Sequence, residues 1–211
     1  MTNKGNSNRL KAGDKHYKAY VGPPHKYDII SAMQFNLLTS LGLREFHTLL
    51  DIGCGSLRGG KLFIPYLLPN RYYGIEPNQW LVNEGIEKEL GNDIMKVKKP
   101  RFIYRSDFLL STFNMKFDYI LAQSIFSHAS PAQINTCLLE VAKCIKENGT
   151  FIATFVKGTT DYKGEKWVYP GCVKYTLKKM EVWAEKAGLS FTVLQFPHPN
   201  GQTWALYKLR K

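Results

Sequence analysis

The chain has 211 residues, 44% of them hydrophobic and 22% charged, a composition that excludes a disordered or fibrous protein and a length that can bury a core without disulfide or metal staples. Lys and Arg number 29 against 17 Asp and Glu, a formal net charge of +12, which favours weak contact with polyanions without naming a function. The longest stretch free of Asp, Glu, Lys and Arg, 119–139, carries Gln123, Ser124, Ser127, His128, Ser130, Gln133 and Asn135, so it is not a membrane span.

Residues 1–27 are expected to be an N-terminal extension and 28–211 a single domain. Up to about residue 18 the extension is rich in Lys, Asn and Gly and is expected to be a mobile tail. Its basic start has no apolar run behind it, so no secretory signal is expected and the chain is placed in the cytoplasm. Tyr20-Val-Gly-Pro-Pro-His-Lys-Tyr27 follows, a turning stretch held by two prolines and suited to be a lid.

Asp28 is placed as the N-cap of a helix with Ile30, Met33, Leu37, Leu38 and Leu41 at helical spacing and Gly42 as its stop. From residue 47 short apolar runs alternate with amphipathic ones. Strands are predicted at 47–52, 71–75, 101–104, 117–123 and 150–156, and helices at 58–68, 78–90 and 131–147. The last helix is the best marked, with Ser130 and Gln133 forming a capping box, Pro131 fitting the first turn, and Ile134, Cys137, Leu138, Val141 and Ile145 one apolar stripe. Strands separated by helices imply parallel pairing.

After a helix near 176–187 the rhythm changes: strand-like runs 190–196 and 203–209 are separated by only six residues, too few for a crossover, so they pair antiparallel. The expected architecture is therefore α/β, a three-layer sandwich whose mostly parallel seven-stranded sheet ends in an antiparallel hairpin. The cysteines, at 54, 137, 144 and 172, lack metal-ligand spacing, and Cys137 and Cys144 share a helix face as buried thiols. No metal site is expected.

Thr48-Leu-Leu-Asp-Ile-Gly-Cys-Gly-Ser-Leu-Arg-Gly-Gly60 runs from an apolar strand into a glycine-rich turn and on to a helix. Such a turn permits positive φ and a close approach of backbone to a ligand. Arg58 stands where a dinucleotide fingerprint needs its third glycine, so that motif fails. Leu50-Asp-Ile-Gly-Cys-Gly55 instead resembles the first motif of the class I S-adenosylmethionine-dependent methyltransferases, with Leu57 where many members have another glycine. Tyr72-Tyr-Gly-Ile-Glu76 resembles the family's second strand, Arg105-Ser-Asp-Phe108 the turn after its third, and Phe117 to His128 its fourth strand and the loop beyond.

The resemblance, over about 43–211, implies a Rossmann-like fold and S-adenosyl-L-methionine as cofactor. It also implies that Glu76 binds the ribose hydroxyls and that Asp107 and its neighbours hold the adenine. A ligand across the strand ends would meet Asp51, Gly53, Gly55, Glu76, Asp107, Phe108, Gln123 and Ser124. The competing account is that Glu76 and Asp107 merely cap the following helices.

Methyl transfer compels no single residue, because alignment and exclusion of water do most of the work. His128, just beyond Gln123 and Ser124, is the candidate base for a hydroxyl acceptor, against a plain backbone-bonding role. Tyr162, Trp167, Tyr169 and Pro170 in the long 157–175 connection would form a substrate wall, with Tyr20, His25 and Tyr27 closing over it. Arg58 could meet the cofactor carboxylate or an anionic substrate.

The positive charge is scattered, and the Asn/Asp-Pro-Pro-aromatic tetrad of nucleic-acid amine methyltransferases is replaced by Gln123-Ser-Ile-Phe126. The expected acceptor is thus a small molecule or saccharide, an anionic one included, as the resemblance to compact bacterial members with small acceptors suggests. The alternatives are an RNA or protein methyltransferase guided by the basic surface, and a non-catalytic cofactor- or nucleic-acid-binding module.

Overall fold

The computed structural model describes residues 10–210. The tail expected at the N-terminus lies outside the described residues up to residue 9, whereas 10–23 form turns that return onto the body of the chain. A 3₁₀ turn at Pro24–Lys26 leads into α1 (Tyr27–Ser40), followed by β1 (Leu49–Ile52), α2 (Gly60–Tyr66), β2 (Tyr72–Ile75) and α3 (Gln79–Gly85). Next come α4 (Asn92–Lys98), β3 (Arg101–Ile103), β4 (Phe117–Ala122), α5 (Pro131–Cys144) and β5 (Ile145–Phe155). The chain ends with α6 (Leu177–Lys186), β6 (Leu189–Leu194) and β7 (Thr203–Leu209).

The sheet runs β3-β2-β1-β4-β5-β7-β6, parallel through β5 and antiparallel at β7 and β6. This is the Rossmann-like methyltransferase arrangement expected from the sequence. Strand periodicity divides the core in two. Leu50, Ile52, Ile120 and Phe151 face α5 and α6, while Leu49, Leu121 and Ile152 face α1 and α2. No helix of the described residues is long and apolar enough to cross a membrane.

Several boundaries differ from the sequence reading. Helix α1 begins at Tyr27 without a side-chain cap, because the preceding prolines set the turn; Asp28 lies inside the first turn, where its charge suits the helix dipole, and bonds Lys61. Helix α5 stops at Cys144: Ile145 continues the apolar stripe but is extended (φ −84°, ψ 141°) and pairs with Phe117 as the start of β5. The expected helix at 78–90 ends in a π-turn, Ile86–Leu90. Helix α4 was not anticipated; it buries no residue and therefore has no apolar stripe to betray it.

At α5 the Ser130 side chain accepts from the Gln133 N–H at 3.4 Å and the Gln133 side chain accepts from the Ser130 N–H at 2.9 Å. Ser130→Ala should cost about 1 kcal/mol, seen as a lower urea midpoint with an unchanged m-value.

Candidate functional site

The carboxyl ends of the parallel strands open into a cleft of about 490 Å³, within the range of small-molecule sites. Its floor is the turn after β1. Gly53 (φ +69°) and Gly55 (φ +55°) adopt the left-handed conformation, and a Cβ on Gly55 would lie 2.7 Å from Val21 Cγ1. Glycine is therefore required for conformation and for space. Leu57, in the place of a further glycine, is also held at positive φ (+59°), its side chain fully buried.

Glu76 directly follows β2 and lines the cleft, only 7% exposed. Its Oε2 accepts from the Gly55 N–H at 3.1 Å, and its Oε1 accepts from the backbone and side-chain nitrogens of Asn78, both at 2.9 Å. Burial raises its pKa, and these donors partly offset that rise. The carboxylate is thus fixed between the glycine turn and the start of α3.

Arg58 is the least expected feature. Its guanidinium is more than nine-tenths buried, and among the described residues it forms no ion pair. Nη1 donates to the Val21 carbonyl and Nη2 to Gln123 Oε1, while Nε has no partner. Burial lowers its pKa to about 10, leaving it charged at neutral pH. Gln123, at the end of β4, also contacts Ser124 Oγ and His198 Nε2 through its amide nitrogen.

On the opposite wall, His128 follows β4 and is 8% exposed. Its Nδ1 meets two carbonyl oxygens, of Val168 at 3.0 Å and Gly171 at 2.7 Å. Two acceptors there require the proton on Nδ1, which leaves Nε2 with a lone pair. Burial lowers the imidazole pKa below its ordinary 6.5, more than the two carbonyls raise it. The ring packs 5.0 Å from that of Tyr169 and 5.5 Å from that of Trp167.

The structure brings Gly53, Gly55, Glu76, Phe108, Gln123, Ser124, His128, Tyr20, Trp167 and Tyr169 to one cleft. Six other candidates stand apart from its walls: His25, Tyr162 and Pro170, and the three that follow. Asp51 is buried behind the glycine turn, where the Tyr72 hydroxyl donates to it at 2.8 Å. Asp107 is exposed and bound by Arg105, which lowers its pKa to about 2; Arg105, Ser106 and Phe108 line the cleft in its place. Tyr27 is fully buried and donates to the Ser56 carbonyl at 2.9 Å, because the 3₁₀ turn directs it under α2 rather than over the cleft.

Sequence reasoning missed Val21, Arg105 and His198. His198 had a usable signal: the β6–β7 connection must lie at the carboxyl edge, since an antiparallel strand starts where its parallel neighbour ends.

Residues 50–151 match a family described as a methyltransferase domain. The fold is similar to an S-adenosylmethionine-dependent methyltransferase from Clostridium acetobutylicum ATCC 824, at 15% identity over 88% of this chain and 92% of that one, with a TM-score of 0.64. The PH0226 protein of Pyrococcus horikoshii OT3 matches at 16% identity over 96% and 97% of the two chains, TM-score 0.65. Magnesium protoporphyrin IX methyltransferase from Synechocystis PCC 6803, solved with bound SAH, matches at 13% identity over 88% and 86%, TM-score 0.65.

Burial raises the Asp51 pKa to about 6, the Tyr72 hydroxyl and Arg58 opposing the rise. A raised carboxyl stabilises the fold while protonated, so its contribution should be present below about pH 4 and lost as pH rises through about 6. Asp51→Asn should flatten the decline in stability between pH 4 and 7, measured by denaturant titration; an unchanged slope would contradict the burial assigned to Asp51.

Proposed function

We propose, for a chain whose residues 50–151 match a methyltransferase-domain family, that the cleft holds S-adenosyl-L-methionine and directs methyl transfer to a hydroxyl of a small-molecule or saccharide acceptor. The observation that carries this is Glu76, a buried carboxylate fixed at the edge of a glycine floor, as a ribose diol requires. Arg58 fits the cofactor's carboxylate, since a buried guanidinium without a counter-ion gains most from an arriving anion. Phe108 and Ser106 stand where the adenine would lie, a place the resemblance gave to Asp107 and its neighbours. Neighbouring folds solved with SAH lend the cofactor assignment support. When bound, the cofactor supplies a methyl group on a positively charged sulfur.

The chain's own contribution is then alignment and proton handling. His128, with its proton held on Nδ1 by two carbonyls, offers Nε2 to the acceptor hydroxyl and takes its proton. Trp167, Tyr169 and Tyr20 narrow the acceptor side and exclude water from it. The lining carries few charges, and the excess lysines lie elsewhere, which supports a compact acceptor over a polyanion. The four cysteines are free thiols, which suits a cytoplasmic location.

Glu76→Ala should weaken S-adenosylhomocysteine binding by about 1.5–3 kcal/mol, read by calorimetry on a variant shown to be folded; wild-type affinity would overturn the assignment. His128→Asn should lower turnover by about 10²–10⁴-fold at unchanged cofactor affinity, followed as S-adenosylhomocysteine release in a metabolite pool that supports turnover. The base must be neutral to accept a proton. Wild-type turnover should therefore fall on the acid side, through a pKa below 6.5. Retention of more than about a tenth of the activity, outside the range for general-base assistance, would remove His128 from that role.

A further inference from the structure

We infer that Tyr169 is a positioning residue: its hydroxyl latches residues 19–22 over the glycine turn and so sets how long a ligand stays in the cleft. The inference rests on the methyltransferase reading of that cleft.

The latch joins two segments far apart in sequence. The Tyr169 hydroxyl donates to the Tyr20 carbonyl, and the two rings lie 5.6 Å apart. The Tyr20 ring also meets Trp80 of α3 edge-on at 5.2 Å, so the strap bridges the two sides of the cleft. Next to it, Val21 rests on Gly55 and its carbonyl takes Arg58. Tyr20 and Val21 both line the cleft, over the floor on which the ligand is placed.

The strap is fixed at both ends by contacts away from the cleft. Upstream, the Tyr17 hydroxyl donates to Glu89 at 3.1 Å, and Lys18 pairs with Glu89 at 3.4 Å. Downstream, Lys26 donates to the Pro199 carbonyl at 2.8 Å. Between these anchors lies Gly22 at φ +129°, a backbone state that only glycine adopts freely, followed by Pro23 and Pro24. A short span with fixed ends and a glycine joint can swing without unfolding the rest. Two side-chain hydrogen bonds hold it against the cleft: one from Arg58 to the Val21 carbonyl and one from the Tyr169 hydroxyl to the Tyr20 carbonyl.

Tyr169→Phe keeps the ring and removes the latch. Stopped-flow release of S-adenosylhomocysteine should quicken about 2- to 12-fold, the equivalent of one neutral hydrogen bond. Hydrogen exchange across 16–23 in the presence of S-adenosylhomocysteine should quicken too. Tyr162→Phe, in the same segment but bonded to the Lys166 carbonyl instead, should release at the wild-type rate. Wild-type release and exchange in Tyr169→Phe, with or without a fall in melting temperature, would overturn the latch and leave the methyltransferase reading standing. Failure of the wild-type protein to bind S-adenosylhomocysteine would overturn both.

Discussion

A guanidinium more than nine-tenths buried, without a carboxylate within ion-pair reach among the described residues, is the constraint around which the cleft is organised. Desolvating a charge is costly unless it is hydrogen-bonded on several sides. Arg58 meets that cost with neutral oxygens drawn from two places: the Val21 carbonyl in the N-terminal strap and the Gln123 side chain at the end of β4. The strap, the glycine turn and the sheet are thereby tied to one side chain. The turn in turn needs Gly55 to be bare, because Val21 rests on it.

The charges of the site are arranged against one another. Burial pushes the carboxyls of Asp51 and Glu76 up and the Arg58 guanidinium down. Asp51 and Glu76 are placed differently despite this shared direction. Asp51 is shut behind the turn with the Tyr72 hydroxyl, whereas Glu76 faces the cleft and has three N–H donors to hold its charged form. A carboxylate that is held charged and open to a ligand is a binding group, while one sealed beside a phenol stiffens the scaffold.

Most of the fold was legible because strand and helix periods separate cleanly in this chain. The antiparallel end followed from a six-residue connection, and the capping box at Ser130 and Gln133 marked α5 directly. What escaped was set by distance or by absence of burial. Helix α4 has no fully buried residue, only Ile94 resting against the core, and Ile145 satisfies a helical stripe while its backbone belongs to β5. Within the site, Gly53, Gly55 and Glu76 could be placed because the sequence itself puts them at strand ends. Tyr27 could not, since it follows a 3₁₀ turn as the first residue of α1 and is buried with its hydroxyl on the Ser56 carbonyl, a partner 29 positions away. The pairing of Gln123 with His198 spans 75 positions and depends on how the hairpin lies against β4.

The sheet's one antiparallel excursion explains why chemistry from both ends of the chain reaches the same edge. Because β7 runs against β5, with Thr203 opposite Phe155, the loop before β7 emerges where the parallel strands end. That loop delivers His198 to Gln123 and Gln202 to Ser124, and its Pro199 carbonyl receives Lys26 from the segment before α1. A seventh parallel strand would have carried the same residues to the opposite edge of the sheet, leaving Gln123 without its second neighbour and the strap without its downstream anchor. The hairpin is therefore part of the site as much as of the scaffold, and its residues bear on the strap through Lys26 and on Arg58 through Gln123.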